Sequence, residues 1–144
     1  MEEGSKSNSC RHKAVTFRGL DRKMDVEKQN SKLPPCPQSP NCVCTESSDR
    51  RHVIEPIPYT TSTPDAINTI VNILSSEKAK IVSKNEQYIR AEYRSKLFRF
   101  VDDVEFYFDN NTKDIHFRSA SRIGYSDMGV NRKRMERIRG LFYR

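Results

Sequence analysis

FVDDVEFYFDNNTKDIHFRSASR, running from Phe100 to Arg122, decides the fold. Two stretches that largely alternate apolar and polar residues flank Asp109-Asn110-Asn111-Thr112, a run whose short polar side chains bond readily to nearby backbone and so make turns. If that run closes a hairpin, Phe106 faces Ile115 and Val104 faces Phe117, and four apolar side chains share one face of a half-buried sheet. The same register sets Asp102 opposite Ser119 and Phe100 opposite Ser121. On the other face it sets Asp103 against Arg118 and Glu105 against His116. Opposite charges across strands contribute about 0.2–1 kcal/mol each.

Working outward, strands are predicted at Ala79–Lys84, Tyr88–Arg94, Leu97–Phe108 and Asp114–Arg122. Asn85-Glu86 supplies one turn. An even-length turn near Ser95-Lys96 puts Ile89, Ala91 and Tyr93 on the core face and brings Glu92 near Arg99. Upstream, Thr63-Pro64-Asp65 reads as a helix start, with Thr63 as the N-cap. Ile67, Ile70, Val71 and Leu74 then form one apolar stripe, and the helix should end near Lys78. Val53–Tyr59 is apolar but holds Pro56 and Pro58, which confine it to an edge strand. A last helix is predicted from an Asn131 N-cap. Val130 and Met135 stand as a hydrophobic staple, and Met135, Ile138 and Phe142 as its buried stripe. The expected fold is α+β: a two-layer domain, with an antiparallel sheet of about four to five strands and both helices on its apolar face.

The remaining chain sets the organisation. Residues 1–33 are polar and aperiodic and are expected to be a disordered tail. Residues 34–144 form a single domain that opens with a Pro/Cys loop over 34–51, where Pro34, Pro35, Pro37 and Pro40 enforce an extended, turning backbone. No run approaches the ~20 apolar residues of a membrane span. The first residues lack the apolar segment of a signal peptide, and Glu2 and Glu3 argue against a transit peptide, so the expected location is cytoplasmic. A net charge of +7 permits nucleic acid or an acidic surface as partner. Much of the excess lies in the final helix, where Arg132, Lys133, Arg134, Arg137, Arg139 and Arg144 face only Glu136. A solvated basic face is the favoured interpretation, with a nucleic-acid footprint as the alternative.

One place is electrostatically odd. Arg132-Lys133-Arg134 opens a helix whose N-terminus is already positive. Asp102, meanwhile, interrupts a core-facing row and must be paired there. Two arrangements satisfy both demands. In one, an ion-pair cluster ties the sheet to the helix. In the other, a pocket recognises a small anionic ligand such as a carboxylate or phosphate. Its residues would be Asp102, Arg118, Ser119, Ser121, Arg122, Ser126, Asp127, Asn131, Arg132 and Arg134, gathered by a loop with Gly124 and Gly129. Catalytic patterns are thin. Parity puts His116 on the face opposite Ser119, which argues against a nucleophilic triad, and splits Asp102, Asp103 and Glu105 between faces. No cofactor and no metal are implied. Cys36, Cys42 and Cys44 are spaced by six and two, unlike zinc ribbons. His12 or His52 could complete a ligand set, but in a reducing cytosol free thiols are the expected state. An enzyme, redox through these cysteines or hydrolytic, is the third class after an anion-binding domain and a nucleic-acid or acidic-surface binder.

Three ordered blocks resemble one family. They are Cys36-Pro37-x-Ser39-Pro40-Asn41-Cys42-Val43, Phe100-Val101-Asp102-Asp103-Val104-Glu105-Phe106, and Arg118-Ser119-Ala120-Ser121-Arg122-x-Gly124-x-Ser126-Asp127-x-Gly129-x-Asn131-Arg132. Over about residues 35–143 the chain is similar to the domain of unknown function 1499 family. The resemblance brings a pattern without a mechanism. It implies that in exported relatives Cys36 and Cys42 form a bridge. Cys44 stands where the family pattern implies a small polar residue.

Overall fold

The computed structural model describes residues 32–144. Most of the expected disordered tail, residues 1–31, and with it Cys10 and His12, lies outside the described residues. The described elements are β1 (Cys42–Cys44), β2 (Ile57–Pro58), α1 (Thr63–Ser76), β3 (Lys80–Lys84), β4 (Tyr88–Arg94), β5 (Val101–Asp109), β6 (Asp114–Ser121) and α2 (Val130–Phe142). The six strands make one antiparallel sheet, ordered β1-β6-β5-β4-β3, with β2 also on β6. β1 and β2 lie end to end along the same edge of β6: Cys42 pairs with Ala120, and Ile57 with Ile115. Both helices pack on one face, and the domain is α+β as the sequence predicts.

The core follows from parity. Ile89 and Ala91 of β4, Val104, Phe106 and Phe108 of β5, and Ile115 and Phe117 of β6 point to the helix face and are fully buried. Ile67, Ile70 and Leu74 of α1 and Met135 and Ile138 of α2 close over them in one cluster. Phe142 packs at its margin.

Faces are as expected, but the β5–β6 register is shifted by two residues. Phe106 pairs with Phe117, Val104 with Ser119, Asp102 with Ser121, and Glu105 with Arg118. The cause is the turn. The Asp109 carboxylate accepts the N–H groups of Asn111 and Thr112, and Lys113 N–H closes on Asp109 O at 2.9 Å. Lys113 takes φ 60°, so the loop is wider than a two-residue hairpin and Asp109 pairs with Asp114.

Other boundaries also move. β5 begins at Val101 rather than Leu97, because the Ser95 hydroxyl and N–H hold Phe100 in the β4–β5 turn. Glu92 consequently sits across from Asp103 and accepts from Arg122, not from Arg99. Ser62, not Thr63, caps α1, and its hydroxyl accepts Asp65 N–H. α1 ends at Ser76, with Lys78 in the left-handed region at φ 62°. The N-cap of α2 lies two residues before the expected Asn131. Gly129 is its N-cap at φ 79°, a conformation glycine adopts without strain, and Val130 is exposed rather than stapled to Met135.

The Pro/Cys segment does more than loop across the domain. It forms β1, and Cys36 and Cys42 are joined by a disulfide. The expectation of free thiols is therefore overturned for these two, while Cys44 is free and buried. Sequence separation is only six, so the bridge stabilises a short loop that delivers β1 to the edge of β6.

Candidate functional site

The oddity at the start of α2 is resolved by the chain's own acids. Asp127 lies just ahead of the helix. One of its oxygens accepts Gly129 N–H at 2.9 Å, and the other accepts Asn131 N–H at 2.9 Å and Asn131 Nδ2 at 2.7 Å. A carboxylate so placed caps free N–H groups and offsets the helix dipole. Burial opposes its charge, but these hydrogen bonds hold the Asp127 carboxyl below the usual range.

Asn131 is wholly buried and links three elements. Its Nδ2 also donates to Ser121 Oγ at 2.9 Å and to Asn41 O at 3.2 Å, the residue before β1. Its Oδ1 accepts from Ser119 Oγ at 2.6 Å and from Arg134 Nη1 at 2.8 Å. Arg134 is itself buried. Nη1 reaches Ser119 Oγ at 3.2 Å and Nη2 meets Asp102 Oδ2 at 2.6 Å. Its guanidinium lies 4.4 Å from the Tyr93 ring centroid, a cation–π contact. Tyr93 donates to Glu77 Oε2 at 2.6 Å, and Glu77 takes Arg137 Nε at 2.5 Å. Burial opposes the Glu77 charge, yet the Arg137 and Tyr93 hydrogen bonds hold its carboxyl low, and burial together with the Glu77 bond pushes the Tyr93 hydroxyl up.

Of the predicted residues, Asp102, Ser119, Ser121, Asp127, Asn131 and Arg134 therefore converge on the helix face. Arg118 and Arg122 do not. On the observed register they belong to the opposite face, because alternation along β6 separates them from Ser119 and Ser121. There Arg122 Nε meets Asp103 Oδ2 at 2.8 Å, and its Nη2 meets Glu92 Oε1 at 2.5 Å. Arg90 joins Asp103 at 3.1 Å. Hydrogen bonding by Arg122 holds the Asp103 carboxyl below its ordinary value. Arg118 pairs with the buried Glu105 at 3.4 Å and reaches Pro35 O. Arg132 crosses to another segment, with Nη2 on Val53 O at 3.0 Å and on Arg51 O at 3.2 Å. Ser126 turns its hydroxyl toward Met128 N–H.

Sequence reasoning missed Asn41, Tyr93 and Glu77 as members. Asn41 sits among prolines and carries no periodic signal, and Tyr93 and Glu77 read as core and helix end. The separation of His116 from Ser119 follows the same alternation. His116 faces Thr45 Oγ1 at 3.3 Å, on the side away from Ser119. Among the described residues, no group of three His, Cys, Asp or Glu side chains could hold a metal. His52 is buried with Nδ1 against Cys42 O at 2.9 Å, bracing β1 rather than joining the cysteines as a ligand.

The exposed end of this assembly is apolar. The loop from Arg122 to Gly129 is anchored from beneath, by Asn41 Nδ2 on Gly124 O at 2.6 Å and by Asp127. From it Ile123, Tyr125 and Met128 project into solvent. At the far end of the sheet, a groove lies between the first turn of α1 and the β3–β4 turn, lined by Thr63, Asn68, Lys84, Gln87 and Asn110. None of the predicted residues lines it.

No helix among the described residues is long and apolar enough to cross a membrane. No curated protein matches the chain. A family model does, across residues 32–142, and that span contains every block quoted above. With nearly the whole described domain covered, the chain belongs to the family of proteins of unknown function DUF1499.

Proposed function

We propose that the domain is a small binding module, with its recognition surface at the end of the sheet where the β4–β5 turn meets the β6–α2 loop. The Asp102–Ser119–Ser121–Asp127–Asn131–Arg134 cluster is the frame of that surface. One observation carries this: the cluster's donors and acceptors engage one another beneath a loop whose Ile123, Tyr125 and Met128 face solvent. Such a network fixes position and offers no nucleophile or base to a substrate. Arg118 and Arg122 tie the opposite face. Anion recognition falls to the cations that border the loop: Arg132, held only by carbonyls, and exposed Lys133, together with Arg94 at the end of β4 and Lys96 and Arg99 of the neighbouring turn.

The basic α2 face is a weaker candidate for nucleic acid. Arg137 is engaged by Glu77, and Arg139 by Glu136 and the carbonyls of Glu55 and Pro56. The cytoplasmic expectation also meets a counter-observation, since the Cys36–Cys42 bridge suits an oxidising compartment better. The test is thermal unfolding with inorganic phosphate, nucleotides and small carboxylates. A ligand at about 100 times its Kd stabilises the native state by about 2.7 kcal/mol. A raised Tm that Arg132→Ala abolishes supports the module; no response to the panel removes anion recognition from it.

A further inference from the structure

Single exposed apolar side chains are ordinary, but a concentration of them is not. Six of the ten large apolar side chains exposed among the described residues lie in two neighbouring loops: Leu97, Phe98 and Phe100 in the β4–β5 turn, and Ile123, Tyr125 and Met128 in the β6–α2 loop. The loops adjoin. Arg122 N–H donates to Val101 O at 3.1 Å, and extending the β5–β6 register past Asp102–Ser121 sets Phe100 opposite Ile123. Leu97, Phe98 and Met128 are 81%, 68% and 86% exposed, so this is a protruding tip and not a loose core. The Phe98 and Phe100 rings stack on each other, 5.5 Å apart, leaving their outer faces to solvent.

Charge at the tip has one sign. Residues 94–100 contain Arg94, Lys96 and Arg99 and no acid. Residues 121–134 add Arg122, Arg132, Lys133 and Arg134 against Asp127 alone, and Asp127 is occupied by the helix cap. Arg122 and Arg134 are neutralised by sheet carboxylates. The others meet no carboxylate among the described residues. A protruding apolar tip with a cationic collar has the chemistry of an interfacial anchor: apolar groups enter the headgroup–acyl boundary while cations meet lipid phosphates. Protein interfaces are depleted of lysine, whereas here exposed Lys96 and Lys133 accompany the apolar groups, and a layer of lipid phosphates complements cations of one sign.

We propose that this end of the sheet docks on an anionic bilayer, with Leu97, Phe98 and Met128 inserted and Lys96, Arg99 and Lys133 on the lipid phosphates. The proposal rests on the binding-surface assignment above and names its partner.

The experiment is flotation of the full chain with vesicles of phosphatidylcholine, with and without phosphatidylserine, alongside binding of inorganic phosphate, polyglutamate and duplex DNA. The chain should float with the anionic vesicles only, and less as salt rises. Leu97→Ser/Phe98→Ser should lower partitioning about tenfold or more, and Lys96→Glu/Arg99→Glu by a similar factor. Both pairs lie in an exposed turn, and an unchanged Tm verifies that each variant folds. Flotation that fails with anionic vesicles, or persists in both variants, overturns the proposal. Polyglutamate or DNA binding that ignores Leu97→Ser/Phe98→Ser, without flotation, also overturns it while leaving a binding surface in place. No binding in any arm overturns both.

Discussion

Asn131 is a buried amide with both ends committed: its oxygen to Ser119 and Arg134, its nitrogen to Asp127, Ser121 and the strand-leading Asn41. Shape alone would not serve here. Asn131→Asp keeps the outline but turns a donor into a carboxylate oxygen facing Asp127, and should destabilise by about 3 kcal/mol, read as a lower urea midpoint at unchanged slope. Asp103, Asp127 and Glu77 all have carboxyl pKa values held below the ordinary range, by Arg122, by the cap hydrogen bonds, and by Arg137 with Tyr93. The sign follows from linkage. Each group contributes stability above its unfolded pKa, about 4, and loses it as pH falls through its lower folded value. The urea midpoint should therefore hold steady from neutral pH to about 4 and drop below it, with a shallower drop in Asp103→Asn. A midpoint that instead rises on acidification would contradict the pairing.

At the element scale, α1 ends in a Schellman motif: Ala79 N–H meets Leu74 O at 2.9 Å and Lys78 N–H meets Ser75 O at 3.1 Å. The left-handed position is filled by Lys78, which is exposed. Lys78→Gly should stabilise the domain by about 1 kcal/mol, since glycine adopts that backbone without the steric penalty. Calorimetry showing a lower Tm for this variant would count against the assigned helix end. The elements themselves show what a sequence discloses. The faces of β4, β5 and β6 were legible because parity depends only on alternation. Register was not, because it depends on how many residues the Asp109 carboxylate gathers into the turn. β1 escaped notice because three residues between prolines and polar loop carry no period, and only the edge of β6 makes them a strand.

Over the whole molecule, the six-stranded sheet separates two ionic systems. Arg134 and Asp102 lie beneath α2, whereas Arg122, Asp103, Glu92 and Arg90 lie on the other face. The sequence singled out the loop before α2 and its helix start, and marked Asp102 as a core-row acid in need of a partner, which Arg134 supplies. It merged the two faces because Arg118 and Arg122 stand next to the serines in the chain, and adjacency along a strand means opposition in space. The tip of Leu97, Phe98 and Met128 was hidden for a related reason: Leu97 and Phe98 fit the apolar pattern of β5 and counted as strand until the turn removed them. The central claim is that this end of the sheet is where the domain meets its partner, and amide chemical-shift mapping during a phosphate titration addresses it directly. Perturbations centred on Lys96, Arg99, Arg132 and Lys133 are predicted; none at all would remove anion recognition from the surface, and perturbations centred on the groove of Lys84, Gln87 and Asn110 at the other end would contradict the claim.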